Sequence, residues 1–145
     1  MNVLVDTSVW SLALRRKAKD LNLAERQLVL ELRELIKEGR VELFGFVRQE
    51  LLSGIKTSEQ YEKLRTVLRE FPDRPIETAD HEAAAKASNE CRAKGIVVSV
   101  VDSLICTLAL RHNLSILTSD PDFSHYAKIL PIKLHRPRDF TVKKT

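Results

Sequence analysis

Five acids in this 145-residue chain stand where short apolar segments begin or end: Asp6, Glu50, Asp102, Asp120 and Asp122. Asp6 closes the apolar run Asn2 to Val5. Asp120 and Asp122 fall in the turn Thr118-Ser119-Asp120-Pro121-Asp122 that leaves the run Leu114 to Leu117, and Asp102 sits three residues after Ser99 in the first turn of an apolar helix. Glu50 lies in the short helical segment FVRQELLSG. Carboxylates gathered at one place repel one another, and the usual remedy is a hard divalent cation with oxygen ligands. Mg²⁺ or Mn²⁺ suits such a set, whereas the four histidines, His81, His112, His125 and His135, are too scattered to point to zinc. Each acid also has a plainer reading. Asp6 and Asp102 are well placed to cap helices, where orphan N–H groups and partial positive charge favour a carboxylate. Glu50 is within reach of a surface pairing with Arg48 or Lys56.

The elements that would bring these acids together follow from the apolar spacing. Strands are expected over Asn2 to Val5, Val41 to Phe44, a brief stretch containing Ile76, Leu114 to Leu117, and Ile129 to Leu134. The last is broken by Pro131, which places it at a sheet edge. A helix after Asp6, capped by Thr7 or Ser8, carries Val9, Trp10, Leu12 and Ala13. A second runs from about Ala24 to Glu38 with Leu28, Leu32, Leu35 and Ile36 on one face and Gly39 as its stop. A capping box of Thr57 and Gln60 opens a helix striped with Tyr61, Leu64, Leu68 and Phe71. An alanine-rich helix from Thr78 or Asp80 runs to Lys94. Val101, Leu104, Ile105 and Leu108 recur at i, i+3, i+4 and i+7 in the next helix, which should stop at Asn113. Phe123 to Ala127 makes a final turn. The order β-α-α-β-α-α-β-α-α-β-α-β argues for an α/β fold: a mainly parallel sheet of four to five strands covered on both faces, with the acids at one sheet end.

With 43% hydrophobic residues and no linker, repeat or low-complexity run, the chain is expected to form one domain over 1–135, followed by a basic tail over 136–145 that contains Arg136, Arg138, Lys143 and Lys144. The tail is read as an RNA-contacting extension or a solvated segment. The net charge of +4 is compatible with a polyanionic partner without demonstrating one. Cys91 and Cys106, the only cysteines, each fall in a helical pattern and read as small apolar groups. The opening MNVLVD reaches an acid too early for a signal peptide and no apolar run approaches membrane-spanning length, so a cytoplasmic location is expected.

Four segments together resemble a known family. VDTSVW at 5–10, RQELLSG at 48–54, KGIVVSVVDSLICTLAL at 94–110 and ILTSDPDF at 116–123 are similar to the successive motifs of PIN-domain ribonucleases, above all the VapC-type toxins of bacterial toxin-antitoxin modules. The resemblance implies a three-layer α/β/α PIN-like fold. It also implies an acidic cluster of Asp6, Glu50, Asp102 and Asp120 that holds Mg²⁺ or Mn²⁺, with Thr118, Ser8 and Asp122 in secondary roles and Asp120 the closer ligand of the terminal pair. The implied activity is endoribonucleolytic hydrolysis of RNA phosphodiesters, of tRNA or rRNA, that halts translation and growth. The implied partners are a small cognate antitoxin and a second copy of the chain in a homodimer. Two other classes share some of these features. A phosphatase or receiver domain also uses strand-end acids and Mg²⁺, but the phosphatase pattern wants an acid two residues after Asp6, where Ser8 stands. A noncatalytic PIN-like binding module would have no need of the complete acid set.

Overall fold

The structure, a computed structural model, describes residues 1–140. The elements in order are β1 (Val3–Val5), α1 (Thr7–Leu14), a 3₁₀ turn (Ala18–Asp20), α2 (Leu23–Lys37), β2 (Val41–Phe44), α3 (Gly45–Leu52), α4 (Ser58–Leu68), β3 (Asp73–Arg74), α5 (Thr78–Ala93), α6 (Val100–Arg111), β4 (Ser115–Leu117) and α7 (Asp122–Tyr126). The sheet order is β3-β2-β1-β4 and every pairing is parallel.

Parallel strands joined by helices are buried on both faces, and the side chains divide accordingly. Leu4, Phe44 and Ile116 point into one core with Cys91, Ile105, Leu108 and Phe123 from α5, α6 and α7. Val3, Val5, Leu43 and Leu117 point into the other with Trp10, Leu32, Leu35 and Leu51 from the helices of the first half. The result is the expected three-layer α/β/α sandwich. Both cysteines are free and buried, and burial pushes the Cys106 thiol up to about 12, so it stays protonated at neutral pH and serves as an apolar group.

The helix boundaries follow local chemistry. Asn22 and Glu25 form a reciprocal capping box at the start of α2, with Glu25 N donating to Asn22 Oδ1 at 2.8 Å and Asn22 N to Glu25 Oε1 at 3.0 Å. Thr57 Oγ1 accepts from Gln60 N at 3.2 Å, the first half of the box expected there. Asn113 ends α6 at φ 53°, a left-handed conformation that asparagine tolerates, as expected.

The sheet departs from expectation at two edges. The third strand is Asp73–Arg74, not the stretch at Ile76, because Pro75 has no N–H with which to extend the ladder beyond Phe44↔Arg74. Arg48 anchors that strand by donating to Asp73 Oδ1 at 2.9 Å, to Leu68 O at 2.9 Å and to Phe71 O. The strand expected over 129–134 is reduced to a single parallel bridge, Ile116↔Leu134. Residues up to Leu130 continue the turn of α7 instead, with Leu130 N donating to Tyr126 O at 2.8 Å, and Pro131 supplies no donor.

Three helical stripes are also narrower than their spacing implied. Ile36 is 39% exposed and Tyr61 and Val101 are each 37% exposed, and the buried face of α2 runs through Val29, Glu31, Leu32 and Leu35. Glu31, only 1% exposed, accepts from His135 Nε2 at 2.7 Å and from Arg138 Nε at 2.7 Å. Arg138, grouped by sequence with the tail charges, is therefore tied back onto α2, while Lys143 and Lys144 lie outside the described residues.

Candidate active site

In a parallel sheet, a cleft opens at the strand C-termini where successive connections leave in opposite directions. Here that point lies between β1 and β4: the chain moves from β1 to β2 and β3 on one side, and β4 pairs with β1 on the other. The ladder runs right up to the cleft, since Asp6 N donates to Leu117 O at 2.9 Å. Asp6 follows β1 and the Thr118–Asp122 turn follows β4, so both arrive at the same edge.

Asp6 is the N-cap of α1 by backbone position, yet its side chain makes no capping bond. Its Oδ2 accepts instead from Ser8 Oγ and from Thr118 Oγ1, each at 2.8 Å. Those two hydroxyl oxygens are 3.4 Å apart, Ser119 N donates to Ser8 Oγ at 3.1 Å, and Asp120 N donates to Thr118 Oγ1 at 3.0 Å. A chain of hydrogen bonds thus locks the β1–α1 junction to the turn after β4, with a carboxylate 8% exposed at its centre. The capping reading of Asp6 does not account for this arrangement.

Asp102 arrives from α6. Ser99 caps that helix by accepting from Asp102 N at 3.0 Å, so the backbone role falls to serine and the Asp102 side chain is free for another partner. That partner is Tyr126, whose Oη donates to Asp102 Oδ2 at 2.9 Å. Burial pushes the Asp102 carboxyl above the usual carboxylate range, against the Tyr126 bond, and the charges of Asp6, Asp120 and Asp122 push it the same way as burial. Those three acids are therefore close enough to act on Asp102 through the local field. Asp120 Oδ1 accepts from Asp122 N at 2.9 Å, which fixes the turn that starts α7 and leaves the Asp122 side chain exposed.

Glu50 stands at the rim. It is exposed on α3 and its Oε2 accepts from Thr7 Oγ1 at 2.7 Å, one residue from Asp6. Arg48, the partner that a simple surface pairing would use, is committed to Asp73. Sequence reasoning missed Tyr126 and Thr7 as donors to this set. The signal for Tyr126 was its i+3 spacing from Phe123, which puts both rings on one buried face and leaves a phenol hydroxyl in need of a partner.

The donors here are carboxylate and hydroxyl oxygens, a set whose chemistry fits a hard divalent cation. Among the described residues, no three acidic, histidine or cysteine side chains stand tightly enough to grip an ion as they are placed. Ion binding would then require the carboxylates to draw together, and the charge of the ion would offset the repulsion that this adds.

A second feature lies away from the acids. Trp10, Leu32, Ile36, Val67 and Phe71 line an apolar groove of about 880 Å³ between α1, α2 and α4. The Trp10 indole N–H is buried and has no hydrogen-bond partner among the described residues.

Fold and site together define a PIN domain, and the sequence matches that family over residues 3–129; the chain belongs to it. Within the family it is 30% identical over 129 residues to VapC ribonuclease Mb1587 of Mycobacterium bovis and to ribonuclease VapC11 of Mycobacterium tuberculosis, in each case over 88% of this chain and 92% of the relative. Among solved structures it resembles FitAcB from Neisseria gonorrhoeae, with a TM-score of 0.73, 21% identity and coverage of 93% of this chain and 97% of that one. It also resembles VapBC2 from Rickettsia felis bound to a promoter DNA fragment, with a TM-score of 0.72, 19% identity and coverage of 93% and 98%.

Proposed function

We infer that this chain is a metal-dependent endoribonuclease, the toxin component of a type II toxin-antitoxin module, which cuts RNA in the cytoplasm and so inhibits translation and growth. The observation that carries the reading is the hydrogen-bonded junction at the β1/β4 edge, where the Thr118 hydroxyl donates to Asp6 and accepts from the Asp120 amide while Tyr126 of α7 donates to Asp102. Helix capping does not account for these side-chain bonds, since neither the Asp6 nor the Asp102 carboxylate caps its helix.

In this reading Asp6, Asp102 and Asp120, with Glu50 at the rim, hold Mg²⁺ or Mn²⁺, and Asp122 supports them. When bound, the ion supplies a Lewis acid that activates water and offsets charge developing on the phosphate. Ser8 and Thr118 hold Asp6 through Oδ2, and Thr7 holds Glu50 through Oε2, so these hydroxyls fix the carboxylates before substrate arrives. One carboxylate of the set takes the proton of the attacking water. The substrate class is structured RNA such as tRNA or rRNA, the catalytic unit spans 1–135, and the protein works as a homodimer.

The groove beside α1, α2 and α4 fits the cognate antitoxin. Its apolar walls suit the apolar face of an amphipathic segment. The reading is tested by induced expression in bacteria. The wild-type chain should arrest growth, Asp102→Asn should not, and co-expression of the small protein encoded beside it should restore growth. Equal arrest by both forms would overturn the assignment of toxicity to this site.

A further inference from the structure

Asp6, Glu50, Asp102 and Asp120 each give one oxygen to a protein donor. Asp6 Oδ2 takes two hydroxyls, Glu50 Oε2 takes Thr7, Asp120 Oδ1 takes the Asp122 amide and Asp102 Oδ2 takes Tyr126 Oη. Most of these donors come with the motifs that carry the acids. Thr7 and Ser8 adjoin Asp6, Thr118 precedes Asp120 by two residues, and Asp122 follows it by two. Tyr126 is different, because it lies beyond the last of those motifs, which ends at Phe123, and it ties α7 to α6.

The geometry gives the hydroxyl a single task. The Tyr126 ring is 3% exposed and packs edge-on against Phe123, with ring centroids 5.2 Å apart at 70°, which fixes the position of Oη. A carboxylate rotates freely about its last torsion, so an unrestrained Asp102 would present either oxygen in many orientations and lose that freedom on binding an ion. A hydrogen bond at 2.9 Å to Oδ2 removes most of it beforehand and leaves Oδ1 for a ligand.

We propose that Tyr126 is a positioning residue of this nuclease: its hydroxyl orients the Asp102 carboxylate for the divalent cation and makes cation binding depend on the seating of α7. The inference rests on reading the acid cluster as a metal site. It distinguishes Tyr126 from a core tyrosine that has merely found an acceptor, since a core role predicts a loss of stability with no change in ion affinity.

The test is a titration of Mn²⁺ into RNA-free protein, followed by calorimetry and by the electron paramagnetic resonance of the free ion. Tyr126→Phe keeps the ring and its contact with Phe123 while deleting the hydroxyl. It should weaken Mn²⁺ binding by about tenfold, the lower end of the range for loss of a residue that orients a metal ligand. The Mn²⁺ concentration that half-saturates RNA cleavage should rise by the same factor, with the rate at saturating Mn²⁺ near that of wild type. Phe123→Leu, which loosens α7 but keeps the hydroxyl, should weaken Mn²⁺ binding in the same direction, whereas Glu31→Gln, which loosens the clasp between α2 and the C-terminal segment, should lower the melting temperature and leave Mn²⁺ affinity within about twofold. Wild-type affinity in folded Tyr126→Phe, or an equal loss in Glu31→Gln, overturns the proposal. If Asp102→Asn also binds Mn²⁺ as wild type does, it is the metal-site reading that fails.

A spectroscopic arm needs no change to the Tyr126 ring packing. The chain has two tyrosines, Tyr61 and Tyr126, so fluorotyrosine incorporated into a Tyr61→Phe background gives one ¹⁹F resonance, from position 126. Mg²⁺ should shift that resonance along the same isotherm that calorimetry yields. A resonance that stays fixed through saturation contradicts the role.

Discussion

Replacing Glu31 by Gln should cost this protein a large part of its stability, although the residue is far in sequence from every acid of the site. Its carboxylate is 1% exposed and accepts four hydrogen bonds: from His135 Nε2 at 2.7 Å, Arg138 Nε at 2.7 Å, Arg138 N at 3.2 Å and Arg138 Nη2 at 3.2 Å. Glutamine keeps the shape but removes the charge and turns one acceptor into a donor that faces other donors. Hydrogen bonds to charged groups are worth about 1.5 to 3 kcal/mol each, and the two short ones are the most exposed to loss. The Arg138 and His135 side chains are 40% and 16% exposed, so water recovers part of that loss, and a net cost of about 2 to 3 kcal/mol is expected. For a domain near this size, 1 kcal/mol moves the midpoint by about 3 to 4 °C, so Glu31→Gln should melt about 6 to 12 °C lower than wild type at pH 7 by circular dichroism. Burial raises the Glu31 carboxyl, but the bonds from Arg138 and His135 outweigh it and hold the group below its ordinary value near 4.5. A carboxyl lowered in the folded state stabilises above its unfolded pKa and loses that contribution as pH falls through the folded one. The gap between wild type and variant should accordingly narrow below about pH 4.5. A gap under about 2 °C at pH 7, or one that widens in acid, would refute the reasoning that the C-terminal segment is clasped to α2 through this carboxylate.

The acid cluster should show the opposite sign. Burial and the neighbouring acids raise the Asp102 carboxyl above its unfolded value, so its ionised form destabilises the ion-free fold at neutral pH, and Asp102→Asn should melt higher than wild type at pH 7 in chelator. Mn²⁺ at about a hundred times its dissociation constant adds roughly 2.7 kcal/mol to whichever form binds it, so the order should reverse when metal is added. A variant that melts lower in chelator and shifts with metal as wild type does would show that Asp102 acts only as a helix-terminal charge, an effect worth about 0.3 to 1 kcal/mol. In the groove, Ile36→Asp is on an exposed part of α2 and should leave folding and RNA cleavage intact while abolishing rescue by the antitoxin. Full rescue of Ile36→Asp in the growth assay would place the antitoxin elsewhere.

Much of this architecture was legible because local and global signals agree. The apolar runs of β1, β2 and β4 are each followed by a residue that stops or turns the chain, and Gly39 and Asn113 take the left-handed conformations that their helix ends require. The positions of Asp6, Asp102 and Asp120 at the ends of those elements followed from the same reading. What was not legible depends on contacts distant in sequence. β3 consists of two charged residues, Asp73 and Arg74, and exists because Arg48 anchors it, a contact 25 residues away. Nothing local marks Glu31 as buried, since its partner Arg138 is 107 residues on. Ile36 matched the apolar period of α2 and yet faces the groove, because periodicity marks a stripe without saying what will cover it. The Tyr126 hydroxyl bond likewise depends on how α7 settles against α6, which no spacing rule contains.

The central claim is that the acids at the β1/β4 edge hydrolyse RNA with a divalent ion. Its most direct test is to incubate purified protein, freed of any inhibitor, with a broad panel of structured RNAs and a small phosphomonoester, with chelator, Mg²⁺ or Mn²⁺, and to run Asp6→Asn and Asp102→Asn beside it. Cleavage of RNA by wild type with metal alone, abolished in both variants and accompanied by no phosphate release from the monoester, is the predicted result. Folded wild-type protein that binds metal and cuts no RNA would contradict the account in favour of a noncatalytic module, and phosphate release with RNA spared would contradict it in favour of a phosphatase.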